Sequence, residues 1–320
     1  MNQSTGIKIT ERIKSPNESI MVSIVVAAYN HEYYIEKVIN SFLEQITNFR
    51  VEITINDDAS QDNTANIIKK FEKKYPDLFV CYYQNENQYS KGRKPWIEVL
   101  FPNARGKYIA LCDGDDYWTD PLKLQKQVDF LEQNTNYCMC FTNVSVVDKY
   151  DNILKDRLFN HDKSEFHAIN LFQKENPICT LTAMFKKEDL TDKIYVHNIL
   201  NSQWRDRALW TSLVVNTKKN IGYLNEVCGA YRITLEGAYS GLSPMNIINK
   251  NIVFQKENLE HFGAEYHDQI KKTISQLTFD KFHETQKKSK SRGVLYFILN
   301  MKWIMKQNSL RDIIYVLRRS

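Results

Sequence analysis

The feature that most constrains this chain is a repeated alternation of short apolar runs and helical apolar stripes over residues 22–131. Residues 22–28 are almost continuously apolar, which is typical of a strand buried on both faces. Residues 51–55, 78–83 and 108–112 form similar runs. The first helical stripe consists of Ile35, Val38, Ile39, Phe42, Leu43 and Ile46. Alternating β and α units predict an α/β fold with a mainly parallel, Rossmann-like sheet flanked by helices.

The second half of the chain is less regular. Residues 137–143 and 179–185 predict strands, residues 207–215 a helix, and residues 222–233 a strand or hairpin. After Gly241 the chain becomes a series of basic, helix-patterned segments. We therefore predict a polar N-terminal extension over 1–20, a main domain over 21–240 with halves 21–116 and 117–240, and a helical C-terminal extension over 241–320.

Composition excludes several classes of protein. The formal net charge of +5 is too modest to indicate nucleic-acid binding. The six cysteines contain no Cys-x-x-Cys pair, which favours reduced thiols packed in the core over a zinc site. No apolar stretch resembles a signal peptide or approaches the length of a membrane span. We expect a cytoplasmic protein, with peripheral attachment to the inner face of the membrane as an additional expectation.

Two acidic clusters follow predicted strands. Asp57 and Asp58 end the second strand, and residues 113–116 (Asp-Gly-Asp-Asp) end the fourth. The carboxyl ends of parallel strands meet at one edge of the sheet, where such folds bind ligands. Grouped carboxylates repel one another, and oxygen ligands of this kind suit Mg²⁺ or Mn²⁺. The alternatives are a solvated turn in which Asp116 caps a helix, and Asx turn chemistry at Asp57 and Asp58.

With these motifs the chain resembles the family 2 glycosyltransferases of the GT-A fold. The resemblance covers residues 21–134 and rests on residues 22–30 (VSIVVAAYN), 55–64 (INDDASQDNT), 106–118 (GKYIALCDGDDYW) and 121–124 (PLKL). It implies an inverting transfer of a sugar from a nucleotide-sugar donor, assisted by a divalent cation, Mn²⁺ or Mg²⁺. Residues 21–240 would then be the catalytic domain, with a nucleotide-binding half and an acceptor half.

The resemblance also implies roles for individual residues. Ala27 and Tyr29 would line the base pocket, and Asp58, with Asp57 beside it, would hold a uracil-like edge. Asp113 would contact the ribose or the water shell of the metal, and Asp115 would ligate the metal. Gly114, between them, would let the backbone approach the nucleotide closely.

Two further residues are assigned from the second half of the chain. Asp206 precedes an apolar helix, as the acidic residue of the family does, and is expected to be the general base for the acceptor hydroxyl. The alternative is that Asp206 only complements the positive N-terminus of that helix. Arg232, like Arg93 in the first half of the chain, could contact phosphate, or either could be an ordinary surface ion-pair partner.

The partners follow from the same resemblance. A UDP-sugar is the favoured donor, a glycan or a lipid-linked glycan is the acceptor, and bacterial surface polysaccharide synthesis is the expected role by analogy. The basic segment 281–320 predicts either contact with an anionic membrane surface or a solvated helix packed on the catalytic domain. Two competing functions are a catalytically degenerate nucleotide- or glycan-binding protein and a metal-dependent phosphatase-like hydrolase.

Overall fold

The computed structural model describes residues 6–12, 18–160, 163–191, 202–234 and 240–288. The chain divides into two compact units, which are described separately below. The sheet unit comprises the described residues within 6–166, 178–191 and 216–233, and the helical unit those within 167–177, 202–215 and 234–288.

The sheet unit contains all the strands that the structure describes. They are β1 (Ile7–Lys8), β2 (Ile20–Ala28), β3 (Ile46–Thr47), β4 (Arg50–Asp57), β5 (Phe79–Tyr83), β6 (Tyr108–Asp113), β7 (Tyr117–Trp118), β8 (Tyr137–Val147), β9 (Ile153–Lys155), β10 (Glu165–Phe166), β11 (Met184–Lys186) and β12 (Asn220–Arg232). The main sheet has the order β10-β12-β8-β11-β6-β2-β4-β5, with β7 paired to β12 and β9 paired to β8.

The parallel pairs are β5 with β4, β4 with β2, β2 with β6, and β8 with β12. Strand β11 runs antiparallel between β6 and β8 and joins the two parallel sections. The mainly parallel α/β architecture predicted from the sequence is therefore confirmed.

The α-helices described in the two units alternate with or follow these strands. They are α1 (Ile9–Arg12), α2 (Ile35–Leu43), α3 (Thr64–Lys74), α4 (Phe101–Asn103), α5 (Lys123–Gln133), α6 (Ala168–Leu171), α7 (Arg205–Thr217), α8 (Pro244–His261) and α9 (His267–Lys288). A π-helical turn, Trp96–Leu100, precedes α4. No helix among the described residues is both long and apolar enough to cross a bilayer.

The apolar stripe of α2 is buried as predicted, with one difference at its end. Ile35, Val38, Ile39, Phe42 and Leu43 all pack in the core. The helix ends at Leu43, however, and Ile46 belongs to β3, where its N–H donates to the carbonyl of Pro121 at 2.8 Å.

The N-terminal segment joins the sheet unit. Strand β1 pairs antiparallel with β3, and Ile9 at the start of α1 is 2% exposed. The boundaries predicted at residues 20, 116 and 240 divide the chain by function. The two units are defined by packing and do not test these boundaries, which remain a prediction.

The helical unit is held together around Arg207, which is 1% exposed. Its guanidinium donates two hydrogen bonds to the carbonyl of Leu171, at 3.0 and 2.8 Å, and lies 5.0 Å from the ring centroid of Phe254. This arginine therefore connects α7 to the end of α6 and to α8. Of the basic segment 281–320, only residues 281–288 are described, as the end of α9, and the prediction of its membrane contact lies outside the described residues.

Candidate active site

Strand β2 brings the two acidic clusters together. Ala27 pairs with Asn56 of β4 on one side and with Asp113 of β6 on the other. The carbonyl of Ala27 accepts the N–H of Gly114 at 3.1 Å. One residue later, the carbonyl of Ala28 accepts the N–H of Asp58 at 2.9 Å. The turns after β4 and β6 are thus attached to consecutive residues of one central strand.

The turn after β4 uses its carboxylates to bind the main chain. Asp58 is 5% exposed, and its two carboxylate oxygens accept the N–H groups of Gln88 and Tyr89 at 2.8 and 2.9 Å. Asp57 is 3% exposed, and its Oδ2 accepts the N–H of Ser60 at 3.2 Å. Its Oδ1 is buried and has no hydrogen-bond partner among the described residues. The Asx-type bond at Asp57 is present, and Asp58 orders the 3₁₀ turn that begins at Tyr89.

The loop after β2 is fastened to the loop after β4. Asn30 adopts a left-handed backbone (φ 55°), and its side-chain oxygen accepts the N–H of Gln61 at 2.8 Å. In return, the N–H of Asn30 donates to Ser60 at 2.9 Å. Tyr29, just before this turn, is 41% exposed at the end of the strand, where its ring can stack on a ligand.

The turn after β6 holds three carboxylates within four residues. Asp116 is 2% exposed, and burial, followed by the nearby charges of Asp115 and Asp113, raises its pKa well above the ordinary value. Its Oδ1 accepts the N–H of Arg232 at 2.7 Å, so the alternative in which Asp116 caps a helix is wrong. Asp115 is partly exposed. The turn therefore gathers three carboxylates, one of them buried and two partly exposed.

Gly114 and His31 fit against each other. A Cβ on Gly114 would lie 2.4 Å from Nδ1 of His31 and 3.1 Å from the carbonyl oxygen of Ala27. The missing side chain thus makes room for His31. Burial lowers the pKa of His31, and the charges of Asp115, Asp62 and Asp57 oppose that shift. Sequence reasoning did not identify this histidine, and only its position two residues after Tyr29 signals it.

Arg232 is a buried positioning residue of the turn after β6. It is 3% exposed, and its Nε donates to the carbonyl of Asp115 at 2.8 Å. Its terminal nitrogens donate to the carbonyl of Asp148 at 3.0 Å and to the carboxylate of Asp151 at 2.7 Å. The guanidinium also lies 4.5 Å from the ring centroid of Tyr34. Both roles considered from the sequence, a phosphate contact and a surface ion pair, differ from this arrangement.

The donor set of the turn after β6 fits a magnesium or manganese site that is completed by substrate. The described residues contain no group of three or more His, Cys, Asp or Glu side chains that could hold a metal on their own. Mg²⁺ and Mn²⁺ bind nucleotides through one or two carboxylates, water and substrate phosphates. Asp113 and Asp115 are carboxylates of this kind, and they lie beside Asp116, whose pKa is raised first by burial and then by their charges.

Asp206 belongs to the helical unit and lies in the first turn of α7. Burial raises the pKa of its carboxyl group, and its Oδ2 accepts a hydrogen bond from Asn176 at 3.1 Å. A carboxylate with a raised pKa suits general base chemistry near neutral pH. Its place in the first turn equally suits the electrostatic alternative. The assignment of Asp206 as the base remains a prediction.

Solved structures share this fold. The chain is similar to Staphylococcus aureus TarS (residues 1–349) in complex with UDP-GlcNAc, with a TM-score of 0.59 and 18% identity over 82% of this chain and 73% of that one. It is also similar to the mannosyltransferase PcManGT from Pyrobaculum calidifontis in complex with GDP-Man and Mn²⁺, with a TM-score of 0.60 and 14% identity over 97% and 84% of the two chains. These similarities confirm the GT-A fold.

Curated relatives include bacterial proteins of several kinds. An uncharacterized protein of Mycobacterium tuberculosis is 43% identical over 138 residues, which are 43% of this chain but only 38% of that protein. A putative teichuronic acid biosynthesis glycosyltransferase of Bacillus subtilis is 30% identical over 67% of this chain and 79% of its own length. An Escherichia coli UDP-Glc:alpha-D-GlcNAc-diphosphoundecaprenol beta-1,3-glucosyltransferase is 38% identical over 35% and 41% of the two chains.

The family model for glycosyl transferase family 2 matches residues 23–194, more than half of the chain. The matched region contains most of β2, all of β4 and β6, and both acidic turns. The fold, the two turns and this match together establish that the chain belongs to glycosyl transferase family 2.

Proposed function

We propose that this protein transfers a sugar from a UDP-sugar, with Mn²⁺ or Mg²⁺, to a lipid-linked glycan acceptor with inversion. We further propose that it acts in the synthesis of a bacterial surface polysaccharide. The observation that carries the proposal is the attachment of both acidic turns to Ala27 and Ala28, which brings the two groups of carboxylates to one sheet edge. The Escherichia coli relative, which is named for a UDP-glucose donor and a diphosphoundecaprenol acceptor, supports the choice of substrates.

The nucleoside is assigned to the turns after β2 and β4. Tyr29 offers an exposed ring for stacking, and Ala27, two residues earlier, is partly exposed. Asp57 and Asp58 supply carboxylates to the ring N–H of the base. Asp57 keeps one oxygen without a partner among the described residues, whereas both oxygens of Asp58 already accept main-chain N–H groups. Because that oxygen of Asp57 is buried, the base contact is assigned to the pair of carboxylates and not to Asp57 alone.

The diphosphate is assigned to the turn after β6. Asp115 would ligate the cation, and Asp113 would hold the ribose or a metal-bound water. When bound, the cation acts as a Lewis acid that stabilises negative charge on the departing nucleoside diphosphate. Gly114, between the two aspartates, leaves the space that Nδ1 of His31 occupies. Arg232 binds the carbonyl of Asp115, and this hydrogen bond fixes the main chain from which the Asp115 side chain extends.

The acceptor hydroxyl is assigned to Asp206. Its carboxylate would take the hydroxyl proton as the acceptor oxygen attacks the anomeric carbon, and the bond from that carbon to the diphosphate oxygen breaks. A single displacement of this kind inverts the anomeric centre. The raised pKa of Asp206 makes it a stronger base than an ordinary aspartate, because burial disfavours its charged form.

A thermal-shift screen of UDP, GDP, dTDP and UMP, each with and without Mn²⁺, tests the donor site without a known acceptor. We expect UDP to raise the melting temperature only with metal, because ligand binding to the native state stabilises it by mass action. Asp115→Asn should abolish this shift. Asp129→Asn, which changes an exposed aspartate of α5, is the matched control and should preserve it. The absence of a shift with every nucleotide would contradict the proposed function.

A further inference from the structure

Residues 148–157 comprise the turn after β8, the short strand β9 and the two residues that follow it. This hairpin segment carries unusually exposed apolar side chains. Tyr150 is 71% exposed, Ile153 64% and Leu154 58%. All three residues of β9 are exposed, so neither face of this strand packs on the core. In a strand at the edge of a sheet, one face normally faces the core and alternates with a polar face. The hairpin therefore projects its apolar groups away from the sheet unit.

The hairpin is nevertheless well anchored at its base. The carboxylate of Asp148 accepts the N–H groups of Tyr150 and Asn152 at 2.8 and 2.9 Å. Asp151, with a left-handed backbone (φ 69°), accepts from Arg232 at 2.7 Å and pairs with Lys37 at 2.9 Å. Two of its three acidic side chains, Asp148 and Asp151, thus form contacts within the sheet unit. The apolar side chains are therefore exposed on a turn that is itself ordered.

The cationic side chains of the hairpin accompany the apolar ones on the surface. Lys149 and Lys155 are exposed, and neither forms an ion pair with any residue that the structure describes. The ammonium of Lys155 donates to the carbonyl of Leu158 at 2.8 Å, which leaves its positive charge uncompensated. The acids of the segment are Asp148, Asp151 and Asp156, and Asp151 is paired with both Arg232 and Lys37. The three cations Lys149, Lys155 and Arg157 therefore outnumber the two remaining acids, which gives the segment a small positive excess.

We propose that residues 148–157 contact an anionic membrane surface, with Tyr150, Ile153 and Leu154 inserted at the headgroup level. A tyrosine, adjacent aliphatic side chains and flanking lysines are the composition that suits a membrane–water interface with anionic lipids. A surface that binds a free glycan would present flat aromatic rings for stacking, whereas this hairpin presents the aliphatic side chains of Ile153 and Leu154. A second copy of the chain pairing through β9 is disfavoured, because the strand has only three residues and ends in Lys155.

The hairpin and the donor site share one positioning residue. The guanidinium of Arg232 binds the carbonyl of Asp148 and the carboxylate of Asp151 on one side, and the carbonyl of Asp115 on the other. Membrane contact through the hairpin would thus set the metal-binding turn at a fixed distance from the lipid surface. Membrane contact itself does not depend on the proposed function. Only its purpose does, which is to bring the enzyme to an acceptor sugar that is attached to a membrane lipid.

The test measures binding of the full chain to vesicles of phosphatidylcholine with and without phosphatidylglycerol, by co-sedimentation. We expect Tyr150→Ser/Ile153→Ser/Leu154→Ser to weaken binding to the anionic vesicles at least roughly tenfold, because three interfacial apolar groups are lost. Ile7→Ser/Ile169→Ser/Val253→Ser, which removes three other exposed apolar side chains, is the matched control and should bind like the unchanged protein. Lys149→Glu/Lys155→Glu should weaken binding roughly tenfold only when phosphatidylglycerol is present.

The thermal shift with UDP and Mn²⁺ is measured on each variant, since it reports folding and the donor site independently of lipid. A hairpin variant that keeps this shift and loses vesicle binding supports the inference. Vesicle binding that is unchanged in both hairpin variants would overturn it and assign the membrane contact, if any, to another part of the chain such as 281–320. A change of oligomeric state in light scattering, with unchanged vesicle binding, would overturn it in favour of a second copy.

Discussion

The acidic turn after β4 and the acidic turn after β6 lie on opposite sides of β2 and use their carboxylates in contrasting ways. In the first turn, both oxygens of Asp58 accept main-chain N–H groups, and Asp57 closes an Asx-type bond. In the second turn, the charges of Asp113 and Asp115 help to raise the pKa of buried Asp116. The first turn uses three carboxylate oxygens to accept main-chain N–H groups, whereas the second gathers three carboxylates within four residues.

The two turns are therefore expected to have different roles at the same sheet edge, one in stabilising the fold and the other in binding a ligand. Carboxylates that accept two main-chain N–H groups stabilise the loop they bind and leave little capacity for a ligand. Carboxylates that repel one another cost free energy in the absence of a cation and are stabilised when one binds. The turn after β6 is therefore the part of the edge whose stability should depend most on metal and diphosphate.

The largest effect is expected for Asp115→Asn. The variant should lose about 10³-fold or more in turnover, because a metal ligand contributes several kcal/mol of charge stabilisation in the transition state. Without metal, its melting temperature should equal or exceed that of the unchanged protein, since one repelling charge is removed from beside Asp116. Donor-hydrolysis assays and thermal unfolding in EDTA measure the two quantities. A marked loss of stability in EDTA would contradict the comparison.

The next largest effect is expected for Asp206→Asn, an acid whose pKa is raised chiefly by burial rather than by other carboxylates. The variant should lose about 10²–10⁴-fold in kcat. Its thermal shift with UDP and Mn²⁺ should be unchanged, in contrast to Asp115→Asn. Transfer to an acceptor and nucleotide binding are measured on the same preparation. Equal loss of binding would show that Asp206 acts on the donor rather than on the acceptor.

The raised pKa of Asp206 also has consequences for pH dependence. As a base it must be ionised, so kcat should fall as the pH is lowered through the raised pKa, and Asp206→Asn should lack this dependence. For stability the sign is opposite. An acid with a raised folded-state pKa holds its proton more tightly when folded, so stability is lost as pH rises from the ordinary aspartate pKa through the raised one. Profiles of kcat and of unfolding against pH distinguish the two effects.

Much of the fold is predictable because the strands are encoded locally. The apolar runs at 22–28, 51–55 and 108–112 correspond to β2, β4 and β6, since strands buried on both faces require continuous apolar residues. The helix predicted over 207–215 is found at Arg205–Thr217. The antiparallel placement of β11 between β6 and β8 depends on contacts between distant segments, which no local pattern contains.

The candidate site is predictable to the same extent. Strand ends rich in aspartate identify the two turns, because parallel strands deliver their carboxyl ends to one edge. The difference between Asp58 and Asp115 is not visible in the sequence, since it depends on whether Gln88 and Tyr89 supply N–H groups thirty residues away. Arg232 is likewise 117 residues from Asp115, and only the fold turns its side chain inward.

A smaller effect is expected for Asp58→Asn, and on stability rather than on metal. The amide keeps one acceptor oxygen, so one of the bonds to Gln88 and Tyr89 is lost together with the charge. Because hydrogen bonds to charged groups are worth about 1.5–3 kcal/mol, the free energy of unfolding should fall by about 2 kcal/mol in urea titrations. Asp129→Asn should show no such loss. If Asp58→Asn were as stable as the control, the carboxylate of Asp58 would not stabilise the fold through its bonds to Gln88 and Tyr89.

The smallest effect is expected for Arg232→Lys, which tests whether the turn after β6 depends on its support. Lysine keeps the charge beside Asp151 but cannot bond the carbonyls of Asp115 and Asp148 at the same time as that carboxylate. Residues that orient a metal ligand typically change metal affinity 10–100-fold, so the Mn²⁺ concentration for half-maximal UDP binding should rise about tenfold.

Arg93→Lys is the matched control for Arg232→Lys, since Arg93 forms an exposed ion pair with Glu98 and should leave the Mn²⁺ dependence unchanged. Saturating Mn²⁺ should restore UDP binding in Arg232→Lys, because Asp115, the proposed metal ligand, is still present and only its position is less well defined. Saturating Mn²⁺ cannot restore Asp115→Asn in the same way. If Arg232→Lys had the Mn²⁺ dependence of the unchanged protein, the guanidinium would hold only the hairpin at residues 148–157, and the turn after β6 would be positioned by β2 and His31.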